Sequence, residues 1–365
     1  MKWLIPLLIV VLGNAYVCRH LWMILPGSAR AAGVSLCILF LLCIMAVFMW
    51  EKELPLWANK MIYTIGTAWI FIFLYLLMAF ILLDFVQWIF PTTKTFFLHN
   101  WKGAATIGLF LILIFSYGRW HYGQKTRVSL DLTTDKPMTH PVKIVMVSDL
   151  HLGYTIGKKE MEQWADKINA EKPDVILIAG DIVDYSMRPL EKENIFTALH
   201  QLKAPLGVYA CPGNHDVMAH AEEYAGFEQK SGIRLLKDET VLVDSTFYII
   251  GRKDHSRMRR KPLKSLLEGI DKNKPIILLD HQPQHLEEAE QNSIDLQLSG
   301  HTHRGQVFPI NLITDAIYEV SHGYKRKGKT HVYVSSGLGI WGGKFRIGSQ
   351  SEYAVIDFHS KAGKK

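Results

Sequence analysis

A chain of 365 residues is longer than one domain usually runs, and its 49% hydrophobic content is concentrated in roughly the first 120 positions, so a membrane half and a water-soluble half are expected. The net charge of +7 does not by itself indicate nucleic acid, because Lys and Arg beside anionic lipid headgroups explain it equally well. Four cysteines, of which only Cys211 lies in the soluble half, exclude a disulfide framework or a cysteine-rich zinc site there.

Four apolar stretches come first: Trp3 to Leu25, Ala31 to Trp50, Met61 to Leu83 and Ala104 to Trp120. Each meets the requirement of about 20 residues for a helix crossing about 30 Å of hydrocarbon. In lipid the backbone must satisfy its own hydrogen bonds, so helices are predicted. Lys2 followed by the apolar run from Trp3 to Leu12, with small residues from Gly13 to Ala15, also fits a secretory signal; three further stretches close behind favour retention as a span. Trp3, Trp50, Trp88, Trp101 and Trp120 sit near the predicted span ends, where indole rings prefer the lipid–water boundary. Lys2, Lys52, Lys60, Arg119, Lys125 and Arg127 fall on one side and Arg19, Arg30, Lys94 and Lys102 on the other, a balance that leans toward a cytoplasmic soluble half. The spans carry almost no ionisable residues besides Arg19, His20 and Asp84, which argues for an anchor and against a channel.

Residues 1–121 are therefore read as a transmembrane region with four helices, 122–141 as a polar linker, and 142–360 as the soluble domain. In the last, short Val- and Ile-rich runs alternate with helix-period segments, an α/β pattern. Strands are predicted at Val142 to Ser148, Asp174 to Ala179, Gly207 to Ala210, Phe247 to Gly251, Pro275 to Leu279, Asp295 to Leu298, His331 to Ser335 and Tyr353 to Phe358. Helices are predicted at Lys158 to Glu171, Leu263 to Ile270 and Pro283 to Gln291.

Polar residues cluster just past five of these runs. Asp149 and His151 follow the first, Asp181 the second, and Asn214 and His215 the third; His281 follows the fifth, and His301 and His303 the sixth. Ligands of open α/β sheets sit at the carboxyl ends of strands, so five such ends can deliver their side chains to one place. Oxygen and nitrogen donors without sulfur suit Mn, Fe or Zn. Any one of these histidines alone is more often structural; five strand ends together are not explained by packing.

The blocks Asp149-Leu-His151, Gly180-Asp181-Ile-Val-Asp184, Gly213-Asn214-His215-Asp216, His281 and Gly300-His301-Thr-His303 resemble, in order, the five motif blocks of the calcineurin-like metallophosphoesterases, membrane-anchored bacterial type. The resemblance implies a four-layer fold, two mixed β-sheets flanked by helices, following the four-helix transmembrane region. It implies two divalent ions: one held by Asp149, His151, Asp181 and His303, the other by Asp181, Asn214, His281 and His301, with Asp181 bridging. It implies that His215 is a catalytic non-ligand at the scissile phosphate. The expected activity is metal-dependent hydrolysis of a phosphodiester, pyrophosphate or phosphomonoester, lipid-linked by analogy, at a bacterial inner membrane. A metal-binding sensor without turnover and a nuclease are the rivals; nucleic acid is not the expected partner, and oligomeric state stays open.

Arg304 stands where the resemblance leads one to expect glycine, and with Arg346 it is a candidate for binding the substrate's phosphate, to which a guanidinium fork is suited. Asp184 and Asp216 read equally as helix caps or as partners orienting a ligating His. His255 and His322 read as loop residues.

Overall fold

The computed structural model describes residues 4–221, 224–255 and 259–361; Lys2 and Trp3, used above for orientation and span ends, lie outside the described residues. The chain divides into two compact units, one built on the residues up to Trp120 together with Gly342–Lys344, the other on the remainder from His121.

The first unit is helical, with long helices at Leu4–Ile24, Arg30–Trp50, Leu56–Ile89 and Trp101–Gly123, one on each predicted span. Among the described residues two of them, Leu56–Ile89 and Trp101–Gly123, are long and apolar enough to cross a membrane, which supports two of the four expected spans. The expected span Met61 to Leu83 is part of a 34-residue helix starting after Pro55, whose missing N–H costs nothing ahead of a first turn. Asp84 accepts from the Tyr16 hydroxyl at 2.6 Å and lies 3.0 Å from His20 Nε2, so these three polar groups of the helices partner one another.

The second unit holds two six-stranded mixed sheets. In chain order the strands are β1 (Lys125–Thr134), β2 (Val142–Val147), β3 (Val175–Ala179), β4 (Val208–Cys211), β5 (Arg234–Leu235), β6 (Glu239–Val243), β7 (Phe247–Gly251), β8 (Ile276–Leu279), β9 (Leu296–Ser299), β10 (Gly323–Lys327), β11 (Thr330–Val334) and β12 (Ser351–Ser360). One sheet runs β1-β12-β2-β3-β4-β5 and the other β10-β11-β9-β8-β7-β6. Strands β2 to β5 are parallel, as are β7, β8, β9 and β11.

Strands buried on both faces read as apolar runs: β3 and β8 are unbroken, β2 is interrupted only by Lys143, and β9 keeps Leu296 and Leu298 around Gln297. Ile144, Met146, Leu177, Ile277, Leu279 and Leu298 fill the space between the sheets. Alternate residues Val145, Val147, Ile176 and Ile178 pack outward on Met161, Trp164 and Ile168 of helix Lys158–Ala170. On the far side of the second sheet, Ile250 and Leu278 meet Leu263, Leu266 and Ala289 of helices Leu263–Leu266 and Leu286–Gln291. The order helix, sheet, sheet, helix makes the four layers.

The segment 122–141 is not only a linker, because it contains β1, paired in parallel with β12 from Lys125↔Ser351 to Thr134↔Ser360. Its inward positions are Thr126, Val128, Leu130, Leu132 and Thr134, and the Thr residues together with the edge exposure hid the alternation. Strands β5, β6 and β10 and helix Ile310–Ile317 were also not anticipated.

Candidate metal centre

The five expected donor blocks leave β2, β3 and β4 of one sheet and β8 and β9 of the other. Backbone hydrogen bonds carry the ladder past the strand ends: Asp149 N–H to Gly180 O at 3.0 Å, His151 N–H to Asp181 O at 3.0 Å, and Gly300 N–H to His281 O at 2.9 Å. Asp149, His151, Asp181, His301 and His303 all adopt left-handed φ, between 46° and 72°. That conformation costs a non-glycine residue of order 1 kcal/mol or more and persists only where surroundings enforce it, as at ligand-binding turns.

All seven predicted donors converge. His151 Nε2 lies 3.1 Å from His303 Nε2 and 3.6 Å from Asp181 Oδ2, and His303 Nε2 lies 3.6 Å from Asp149 Oδ1. On the other side of Asp181, Oδ2 is 3.1 Å from His281 Nε2, which is 3.2 Å from Asn214 Oδ1; that oxygen is 2.8 Å from His301 Nδ1. Asp149, His151 and His303 form one compact donor group and Asp181, His281 and His301 another. Donors bound to one cation at about 2.1 Å with angles of about 90–109° stand about 3.0–3.4 Å apart. The observed spacings, 2.8 to 3.6 Å, bracket those edges, and the donors are oxygen and imidazole nitrogen throughout. The residues present therefore fit a divalent metal set.

Surrounding groups select which nitrogen faces the centre. His281 Nδ1–H donates to Ala179 O at 2.8 Å, a contact from one sheet to the other that leaves Nε2 for the site. His151 Nδ1 faces Asp184 Oδ1 at 3.3 Å, with the same effect. Asp184 also takes His215: its carbonyl accepts from Nδ1 at 2.9 Å and its carboxylate lies 3.2 Å away. The Asp216 carboxylate accepts from the N–H groups of Gly213, Val183 and Ile182 at 2.8, 2.8 and 3.2 Å, clamping the loop after β3 to the loop after β4. Both acids thus position other residues.

The electrostatics are those of a charge-dense pocket. Burial alone would raise the Asp181 carboxyl, yet the His281 and His215 imidazoles hold it well below the ordinary range. Burial pushes Asp149 upward. Burial, His151 and Arg346 depress His303 far below its usual value, and burial with His281 brings His301 down to about 4, so both keep neutral rings with available lone pairs. Burial works against protonation of His215, but Asp181 and Asp184 prevail and lift it to about 9.

Arg304 lies in the turn His303–Gly305, half-buried, its guanidinium without a hydrogen-bond or ion-pair partner among the described residues. Arg346 is fully buried and differs from expectation: its guanidinium donates to the carbonyl oxygens of His303, Ser336 and Gly339 at 2.8, 2.6 and 2.9 Å, so those donors are directed at backbone and not toward a substrate. His255 stands apart with its ring 5.7 Å from that of His285, and His322 Nε2 pairs with Glu352 Oε2 at 3.1 Å. Gly213 was quoted in its block without a role. A side chain there would overlap Asp181 Oδ1 and come within 2.5 Å of its amide nitrogen. Its position directly before Asn214 was the only signal.

Residues 142–305 match the family of calcineurin-like phosphoesterases. An uncharacterised metallophosphoesterase of Helicobacter pylori (strain J99) is 32% identical over 264 residues, 70% of this chain and 70% of its own. An uncharacterised metallophosphoesterase of Aquifex aeolicus is 32% identical over 240 residues, 63% of this chain and 90% of its own. A transmembrane protein with metallophosphoesterase domain from Danio rerio is 34% identical over 231 residues, 59% of this chain and 52% of its own.

Proposed function

Because this chain belongs to the calcineurin-like phosphoesterases, metal-dependent hydrolases of phosphoester bonds, we propose that it is a membrane-anchored phosphoesterase with a two-metal centre. The observation that carries the reading is the convergence of seven O and N donors from five strand ends, with Asp181 between the two groups. In this reading Asp149, His151, Asp181 and His303 hold one divalent ion and Asp181, Asn214, His281 and His301 the other, with Mn, Fe or Zn as the metals the donor set suits. Two such ions supply an activated water and neutralise the phosphoryl oxygens.

The protein's own groups do the rest. Asp184 fixes Nδ1 of His215 by hydrogen bond, which leaves Nε2 as the nitrogen for proton transfer. Asp181 and Asp184 favour the protonated ring against burial, and a proton at Nε2 is what His215 would pass to the leaving oxygen. Arg304, next to His303 and without a side-chain partner among the described residues, is assigned to bind phosphate oxygens. The substrate is a phosphodiester, pyrophosphate or phosphomonoester, with a lipid-linked compound favoured by the helices that hold the domain at a membrane. The flanking Lys and Arg residues favour a cytoplasmic catalytic domain at a bacterial inner membrane.

The test is Mn-supplemented hydrolysis of aryl mono- and diesters, nucleotide sugars and phospholipids, run with Asp181→Ala and His215→Ala. Both variants are expected to lose turnover and only Asp181→Ala to lose bound metal. Metal-loaded protein inactive on the whole panel points to a sensor, and full metal content in Asp181→Ala removes the bridging role.

A further inference from the structure

Helix Ile310–Ile317 has no buried residue, and its spacing puts Leu312, Ile313, Ala316 and Ile317 on one face. Leu312, Ile313 and Ile317 are 57%, 56% and 68% exposed, and Phe308, just ahead, 44%. An amphipathic helix ordinarily turns such a face to the core; here it is turned outward, and among the described residues nothing covers it.

The helix is firmly held on its other side. Its first turn packs on Gly305, where an added Cβ would come within 2.6 Å of Asn311 Cα. Asp315 accepts from the Ser321 hydroxyl, and the Ser321 carbonyl accepts from the Thr302 hydroxyl at 2.5 Å. Tyr318, the next residue after the helix, sets its ring 6.2 Å from that of His301. The apolar face is thus fastened at several points to the loop carrying His301, Thr302 and His303, with the unpartnered Arg304 beside it.

We propose that this face docks on a lipid bilayer, holding the mouth of the metal centre at the headgroup level; the proposal rests on the membrane-anchored reading above. A bilayer is favoured over a protein partner on two grounds. The same chain has helices long and apolar enough to cross one, so a bilayer is always near. The exposed face of the helix is also aliphatic, with Phe308 ahead of it the one aromatic named, whereas protein interfaces concentrate binding in Trp, Tyr and Arg, with Leu under-represented. Aliphatic residues turned outward from a held helix match the apolar side of elements lying about 5–10 Å into the interface, and Arg304 supplies a cation nearby although the helix itself carries none.

The experiment uses the full chain with its cysteines replaced by alanine, reconstituted in vesicles of equal parts phosphatidylcholine and phosphatidylglycerol. Ile313→Cys, and separately Ile317→Cys should the first fail to fold, is labelled with an environment-sensitive fluorophore; Lys272→Cys, at an exposed polar site, is the reference. Quenching by a nitroxide carried near the headgroup end of the acyl chain is expected to be at least about twofold stronger at the helix than at residue 272. Equal quenching at both sites, or strong quenching of the helix label by aqueous iodide, overturns the proposal. Protection from both quenchers that disappears on diluting protein per vesicle also overturns it, in favour of a second copy. No phosphate release is read, and flotation of the same vesicles reports anchoring separately, so failure of either reading is distinguishable from failure of this one.

Discussion

The Arg346 guanidinium donates to the backbone carbonyl oxygen of His303 at 2.8 Å, tying a fully buried cation to the loop that bears two of the seven converging donors. The same group holds the carbonyls of Ser336, Gly337 and Gly339 at 2.6, 3.2 and 2.9 Å. Arg346→Met leaves these oxygens buried without donors and is expected to cost about 3–5 kcal/mol, with Arg346→Lys recovering only part. Thermal unfolding and metal content check this; wild-type values for both in the Met variant would place the anchoring elsewhere.

Gly213→Ala is expected to abolish metal retention and lower stability by several kcal/mol, on the order of an overpacked core site, because the new methyl overlaps the Asp181 carboxylate and presses on its amide at 2.5 Å. Metal analysis of the purified variant decides it. Gly108→Ala, where a Cβ meets nothing within 4 Å, serves as the neutral comparison.

Glu352 gives a pH signature. Burial would raise its carboxyl, but His322, Tyr333 and Gln350 hold it at about 2, against an ordinary 4.5. A depressed folded value means the contribution is complete above about pH 4.5 and disappears as pH falls to about 2. Its size is about 3 kcal/mol at roughly 1.4 kcal/mol per unit. Unfolding of Glu352→Gln followed between those limits should show a flatter acid limb than wild type; parallel limbs would count against the assignment.

A fragment beginning at His121 is expected to be soluble and monodisperse, whereas one beginning at Pro141 should aggregate. The shorter piece lacks β1 and so exposes the whole ten-residue edge of β12. It also loses Tyr122, which is buried and donates to Glu160 at 2.9 Å while Lys125 Nζ lies 3.6 Å over its ring. Size-exclusion chromatography separates the two outcomes, and equal behaviour of both pieces would contradict the role given to β1.

Much of the catalytic unit was legible because its strands are buried on both faces. Phe247–Gly251 emerged at its predicted bounds, and Val142–Val147 and Ile276–Leu279 within one residue at an end. Segments with a solvent face were harder. In Lys125–Thr134 the inward row begins and ends with threonine, and in Gly323–Lys327 three of five residues are basic, so pairing with a neighbour far along the chain, or across a turn, had to supply the order.

From the chain alone came the division into an apolar half and an α/β half, and the donor types at five strand ends, since periodicity and residue chemistry are local properties. Tertiary structure alone decided that Arg346 points inward to carbonyl oxygens, that Asp184 and Asp216 orient the donor loops, and that Leu312, Ile313 and Ile317 face outward. Those outcomes depend on which atoms surround a side chain once distant segments have packed, and no spacing within the sequence encodes that directly.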